Sequence, residues 1–387
     1  MKAITNTKLV MPEGIIWDGT LLFENDKIVA VGASDDVLIP AGAEIIDAQG
    51  KYTAPGLIDI HNHGGGDWLF AENPQYCCEY FIQHGVTTVL PTLYHNLDKE
   101  TMLSAAAKIR EASKQGVGRV MDGLYMEGPF MSLFGSFQNE MKWTDPIKEE
   151  DYADLIAGFG DMVRIWAIDP KRENICDFMA YAKEKTPHVI FAHGHSKADS
   201  DEIRKIAHYG VKVRTHMGDC GTCNGRALVT PGASGDEFCL NEPDMYAELI
   251  CDENGIHVVP DLIKLYIRAK GVEKICLISD SMPSRTDYKN NADMGVWYGA
   301  DLNYDDEGML AGSRMTLENA CRNVMKHTGY GLCHAIRMAT LNPAKLLGID
   351  YKVGSLAAGK KANLIIIDDT VRIQKVFLEG ELMVDNT

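Results

Sequence analysis

The sequence predicts an α/β protein: an eight-stranded TIM-like (β/α)8 barrel carrying a small β-sandwich unit built from both ends of the chain. Three observations predict it. Short alternating strands at the two ends bracket a long middle in which strand and helix alternate. The 387 residues suit one barrel of about 250 residues with a satellite. Residues of metal-ligand type recur where the strands of the middle end.

Segments 3–11, 14–32 and 43–50 alternate apolar and polar residues between turns, with no long helical stretch, and so read as strands. From Gly56 the rhythm changes. Strands are expected within 56–63, 86–94, 119–129, 162–170, 188–196, 211–219, 245–258 and 274–282. Helices are expected at 99–115, 175–186, 201–210, 262–271, 316–329 and, as one piece, 332–348. Beyond Gly348 strand-and-turn patterning returns. The expected division is residues 1–54 with 346–387 in the small unit and 55–345 in the barrel. A doubly wound sheet is the rival, but no Gly-x-Gly-x-x-Gly follows a strand, so dinucleotide binding has no support.

Composition excludes several functions. Lys and Arg number 38 against 55 Asp and Glu, a net charge of -17, which argues against nucleic acid or anionic membrane as a partner. An anionic substrate would need its own cationic pocket. The N-terminal stretch lacks the basic start and apolar core of a secretory leader, and no window reaches about 18 uninterrupted apolar residues. The expected location is the cytoplasm, and the ten cysteines are expected to be mostly reduced, buried thiols.

In a β/α barrel, chemistry gathers at the C-terminal ends of the strands. The first strand ends in His61-Asn62-His63, whose alternation sends both imidazoles to one side, about 7 Å apart along the backbone. Glu127 precedes a Gly-Pro break at the third strand end. His193-Gly194-His195 ends the fifth, His216 the sixth and Asp280 the eighth. Together these nitrogen and oxygen donors describe a divalent-metal site suited to zinc, and also to iron, cobalt or manganese. Of the fifth-strand pair only one side chain need ligate, which leaves His193 as a supporting or core residue. Such an ion lowers the pKa of a water toward ~7. Asp280 is then placed to act as base and later to protonate a leaving nitrogen.

The run Pro55-Gly56-Leu57-Ile58-Asp59-Ile60-His61-Asn62-His63-Gly64 resembles the opening of amidohydrolase-superfamily barrels. The motifs Glu127-Gly128-Pro129-Phe130, Gly194-His195-Ser196, Thr215-His216, Asn254-Gly255-Ile256-His257, Leu310-Ala311-Gly312-Ser313 and Met338-Ala339-Thr340-Leu341-Asn342-Pro343 are similar, in the same order, to the N-acetylglucosamine-6-phosphate deacetylases. The resemblance implies that Glu127, His195 and His216 hold the main ion and that Asp280 is the catalytic acid/base. His61 and His63 would add a second ion, with Glu127 and Asp280 shared, so one or two ions are expected. It also implies a homodimer.

By family position the sugar phosphate would meet Arg226, His257, Asn254, the backbone of Asp219 and Cys220, and the loop Leu310, Ala311, Gly312, with Gln138 or Asn139 contributing after the third strand. The sequence departs from type after His216, where Met217-Gly218-Asp219-Cys220 replaces the usual Asn-Ala pair. An Asp about 4 Å from a phosphate costs ~1 kcal/mol or more. Two other readings follow. One is a deacylase of a nonphosphorylated amino sugar or other N-acyl substrate; the other is a noncatalytic metal-bound sensor. Cys220-Gly221-Thr222-Cys223 is a CxxC, but no second pair accompanies it, so it is set aside as a zinc or redox site. His84, His95, His188, His208, His327 and His334 are expected to lie away from the strand ends.

Overall fold

The computed structural model describes residues 1–132, 135–136, 138–140, 142–220, 232–283, 301–305 and 308–387, with Gln138 described for its backbone alone. Its middle is a nearly closed eight-stranded parallel barrel. The strands run in order Leu57–Asn62, Val86–Tyr94, Leu124–Glu127, Val163–Ile168, Ile190–His193, Val211–Arg214, Tyr246–Ile250 and Ile275–Ile278, each hydrogen-bonded to the next. The last and first strands join just past their ladders. The Asp280 backbone N–H donates to the His61 carbonyl at 3.0 Å, and that of His63 donates to the Ser281 carbonyl at 2.9 Å.

Each barrel strand is followed by a helix whose apolar stripe covers it. Lys99–Ala112 begins at Asp98, whose side chain accepts from the Thr101 N–H at 2.8 Å, and buries Met102, Ala105, Ala106 and Ile109. Pro260–Lys270 starts on a proline, where a missing N–H costs nothing, and stops at Gly271 with φ 79°. The segment 332–348, expected as one helix, is two: Leu332–Met338 and Leu341–Leu346. Pro343 has no N–H for the Ala339 carbonyl and its ring would clash with it, so the helix breaks at Thr340. The third and seventh strands are shorter than their patterns suggest. Gly116–Val120 forms a short 3-10 turn before one, and a loop held by Asp252 follows the other.

The ends of the chain form a second, mixed eight-stranded sheet. Its order places the C-terminal strands Glu381–Asp385, Ile373–Leu378 and Leu364–Ile367 beside Tyr52–Pro55, which pairs with Lys2–Met11. The run Leu364-Ile365-Ile366-Ile367 is apolar throughout because both faces are covered. Leu364 and Ile366 pack with Leu9, Phe23 and Phe377, while Ile365 and Ile367 join the barrel core. None of the nine described cysteines is in a disulfide; most are buried and Cys176 is exposed.

Candidate metal centre at the barrel mouth

Six strand-end side chains converge at the C-terminal face. In one group, His61, His63, Glu127 and Asp280 each offer an atom, all within 4.8 Å of one another; in a second, Glu127, His195 and His216 do the same. Glu127 belongs to both. Its Oε2 lies 3.3 Å from His61 Nε2 and 3.0 Å from His63 Nε2, and its Oε1 lies 2.9 Å from His195 Nε2 and 3.1 Å from His216 Nε2. Asp280 Oδ1 stands 3.2 Å from His63 Nε2 and 3.7 Å from His61 Nε2. All six residues are buried.

The ring partners fit the group to a cation. His216 Nδ1 contacts the Asp219 carbonyl at 3.3 Å, and His61 Nδ1 contacts Glu248 Oε2 at 3.0 Å. Both partners are acceptors, so each Nδ1 carries a proton and each ring turns its Nε2 toward the centre. There the Nε2 atoms of His216 and His195 face each other at 3.0 Å beside a carboxylate oxygen. Among the described residues, His61 Nε2 and Asp280 Oδ1 are buried with no hydrogen-bond partner. Imidazole nitrogens and carboxylate oxygens aimed at shared points are the donor set of a divalent transition ion.

Electrostatics agree. Burial would lower the His61 pKa, but Glu127, Asp280 and Glu248 hold it well above its ordinary value. His63 is raised in the same way by Asp280 and Glu127 against burial. Burial opposes ionisation of Glu127 and Asp280 as well, yet the surrounding imidazoles pull both below the usual carboxylate range. The cluster therefore attracts positive charge.

The backbone bends sharply to present these groups. His195, His216 and Asp280 have φ of 45°, 27° and 47°, in a region that non-glycine residues seldom occupy. Such strain costs about 1–3 kcal/mol per residue and persists where the surroundings over-determine it. At Asp280 they do. The Ser313 N–H donates to its carbonyl at 2.7 Å, and a Cβ on Gly312 (φ 57°) would lie 2.5 Å from that same oxygen. One residue earlier, Ser279 binds the buried Asp59 carboxyl through its hydroxyl at 2.6 Å; burial pushes the Asp59 pKa up to about 6.

The remaining expected residues are placed as follows. His257 is buried, its Nδ1 3.1 Å from Asp252 Oδ2 and its Nε2 3.2 Å from the Gly312 carbonyl. With acceptors on both nitrogens the ring is a cation. Burial alone would lower its pKa, but Asp252 and Asp219 raise it to about 9. Burial opposes ionisation of Asp252 too, yet His257 and the N–H groups of Ile256 and His257 hold it at about 2. Cys220, partly buried with φ 48°, hydrogen-bonds His195. Leu310, Ala311 and Gly312 lie in the strand Leu310–Ser313 of a hairpin with Leu302–Tyr304. Asn139 and Asn254 are exposed. Arg226, Cys223 and the Gln138 side chain lie outside the described residues.

His95 corrects an expectation. It is not remote but buried directly after the second strand, with its ring 3.9 Å from that of Tyr94 and 6.4 Å from that of His195. Gly128 (φ 114°) lets it approach, since a Cβ there would come 2.8 Å from that of His95. His193 turns away from both donor groups. Neither of its ring nitrogens has a hydrogen-bond partner among the described residues, and burial beside Arg214 lowers its pKa well below the usual value. The sequence reading also missed Glu248, Asp252 and Tyr94. A lone Glu within Tyr-Ala-Glu-Leu-Ile was the available signal for the first, because unpaired carboxylates are seldom placed in buried strands.

The amidohydrolase family's sequence model matches residues 52–383. The chain is 25% identical to the N-acetylglucosamine-6-phosphate deacetylase of Haemophilus influenzae over 98% of each chain. It is 26% identical to the N-acetylgalactosamine-6-phosphate deacetylase of Escherichia coli O157:H7 over 97% of each. It superposes with a TM-score of 0.86, at 25% identity, on the crystal structure of N-acetylglucosamine-6-phosphate deacetylase from Pasteurella multocida, covering 99% of this chain and 100% of that one. The strand-end donors, the nearly closed barrel and the matched length agree: the chain belongs to the amidohydrolase family.

Proposed function

We propose that this protein hydrolyses the acetamide of an N-acetylhexosamine 6-phosphate, releasing acetate and the amino-sugar phosphate. The observation that carries the reading is Glu127 bridging two donor groups with Asp280 at their edge. His61, His63, Glu127 and Asp280 would hold one ion and Glu127, His195 and His216 the other. Zinc, iron, cobalt or manganese bound there supplies Lewis acidity and acidifies water toward a pKa of ~7.

The protein's own groups do the rest. Asp280, kept ionised beside His61 and His63, accepts a proton from the attacking water and returns it to the departing nitrogen, so one water is consumed for one amide bond broken. The strained backbone at residue 280 aims the carboxylate inward. His257, a buried cation, offers positive charge to the substrate.

A second reading, hydrolysis of a nonphosphorylated N-acyl sugar, draws on Asp219, which acts on His257 and opposes an added phosphate. Acetate release from the N-acetylglucosamine and N-acetylgalactosamine 6-phosphates and from the two free sugars tests both. The first reading expects kcat/KM at least about 100-fold higher for a phosphorylated sugar, equivalent to ~2.7 kcal/mol of discrimination. Equal or better turnover of the free sugars would overturn it in favour of the second.

A further inference from the structure

Glu248 lies in the middle of the seventh barrel strand and is fully buried. Among the described residues its Oε1 has no hydrogen-bond partner, and its ion-pair partner is His61 rather than a lysine or arginine. Burying a polar atom unsatisfied costs free energy that the fold must recover elsewhere. Ala247, Leu249 and Ile250 show what the strand uses where only packing is required.

The other oxygen is fully engaged. Glu248 Oε2 lies 3.0 Å from His61 Nδ1 and accepts from the His216 backbone N–H at 3.3 Å and from Tyr125 Oη at 3.5 Å. Tyr125 also contacts Thr215 Oγ1 at 2.9 Å, and its ring stacks on His61 with centroids 4.3 Å apart. One carboxyl group thus fixes the tautomer and plane of His61, while the backbone beside His216 is also held independently of this side chain, by the Met217 N–H donating to the Glu248 carbonyl at 2.8 Å. A histidine whose second nitrogen donates to a carboxylate is a stronger and better-oriented ligand, and loss of such a partner typically weakens metal binding 10–100-fold.

We infer that Glu248 is a positioning residue that sets the affinity of the His61–His63–Glu127–Asp280 group for its ion, and that without it the centre retains only the ion on Glu127, His195 and His216. The inference rests on the two-ion reading above.

Metal per chain, chelator competition and the visible spectrum of the cobalt-loaded protein, measured on the full chain and on Glu248→Gln, Glu248→Ala and His61→Ala, test it. Metal-free thermal midpoints serve as the control for folding. Wild type should bind two ions. Glu248→Gln, which keeps the shape but loses the charge, should bind one ion unchanged and the second about 10-fold more weakly. Glu248→Ala should weaken the second about 100-fold and remove its share of the cobalt spectrum. A merely structural role would weaken both ions alike or only lower the metal-free midpoint, and that result overturns the inference. Two ions at unchanged affinity in both Glu248 variants also overturns it, leaving the two-ion reading intact. A single ion in wild type, unchanged in His61→Ala, overturns that reading and the inference with it.

Discussion

The Nε2 atoms of His195 and His216 stand 3.0 Å apart, each also within 3.1 Å of the same Glu127 oxygen. His216 Nδ1 donates to the Asp219 carbonyl, which leaves its Nε2 turned toward His195 Nε2 and Glu127, where one cation would meet all three. The three side chains form a ligand set for one divalent ion. Chelation should therefore abolish turnover and lower the unfolding midpoint, and added divalent ion should restore both. At 1,000 times its Kd an ion stabilises the fold by about 4 kcal/mol. Unchanged midpoint and turnover after verified metal removal would refute the centre.

Because Glu127 serves both groups, Glu127→Gln should deplete both ions, whereas His61→Ala should spare one. Metal analysis of the two variants separates a bridged centre from two independent sites. Turnover by Glu127→Gln should fall at least ~10³-fold, as expected when several kcal/mol of charge stabilisation are lost.

Asp280→Asn should reduce kcat by roughly 10²–10⁴-fold, the range for a general acid/base, while the ion on Glu127, His195 and His216 remains. Single-turnover kinetics with metal quantified in the same sample check this. Wild-type kcat in the variant would remove Asp280 from the reaction.

The His257–Asp252 pair makes stability depend on pH. The His257 pKa is raised to about 9 in the fold, so its contribution is complete below the unfolded value of about 6.5 and is lost as pH rises through 9. Asp252, held at about 2, contributes above about 4 and loses its part only as pH falls through 2. The midpoint difference between wild type and His257→Gln should therefore be largest near pH 5–6 and shrink steadily from pH 7 to 9. A flat difference across that range would show that His257 is not the cation its two acceptor partners require.

Arg214 and Asp236 form a buried ion pair at 2.7 Å, and the second Asp236 oxygen accepts from the Gly218 N–H at 3.1 Å, tying down the turn after His216. Asp236→Ala strands a buried guanidinium and should destabilise the protein by about 3–5 kcal/mol, read from the urea midpoint. Replacing both residues with apolar ones of similar volume should cost much less. Equal losses would mean that the pair acts through packing alone.

The sequence determined much of this protein. Strand and helix periods, the Gly-Pro break after Glu127 and the recurrence of ligand-type residues at strand ends define the barrel and place His61, His63, Glu127, His195, His216 and Asp280 on one rim, because a parallel barrel carries every strand's C-terminal end to the same face. Residues whose roles depend on neighbours distant in the chain were not legible. Asp252 looks like an ordinary loop residue until the turn that brings it to His257 closes. His95 looked remote until Gly128 admitted it to the mouth. Glu248, 187 positions from His61 in sequence, becomes its partner only when the barrel curls. Residue type and strand period are local properties that a linear pattern records. The proton on a given nitrogen, the sharing of Glu127 and the pairing of Glu248 with His61 arise from distances between strands, which only the folded chain sets.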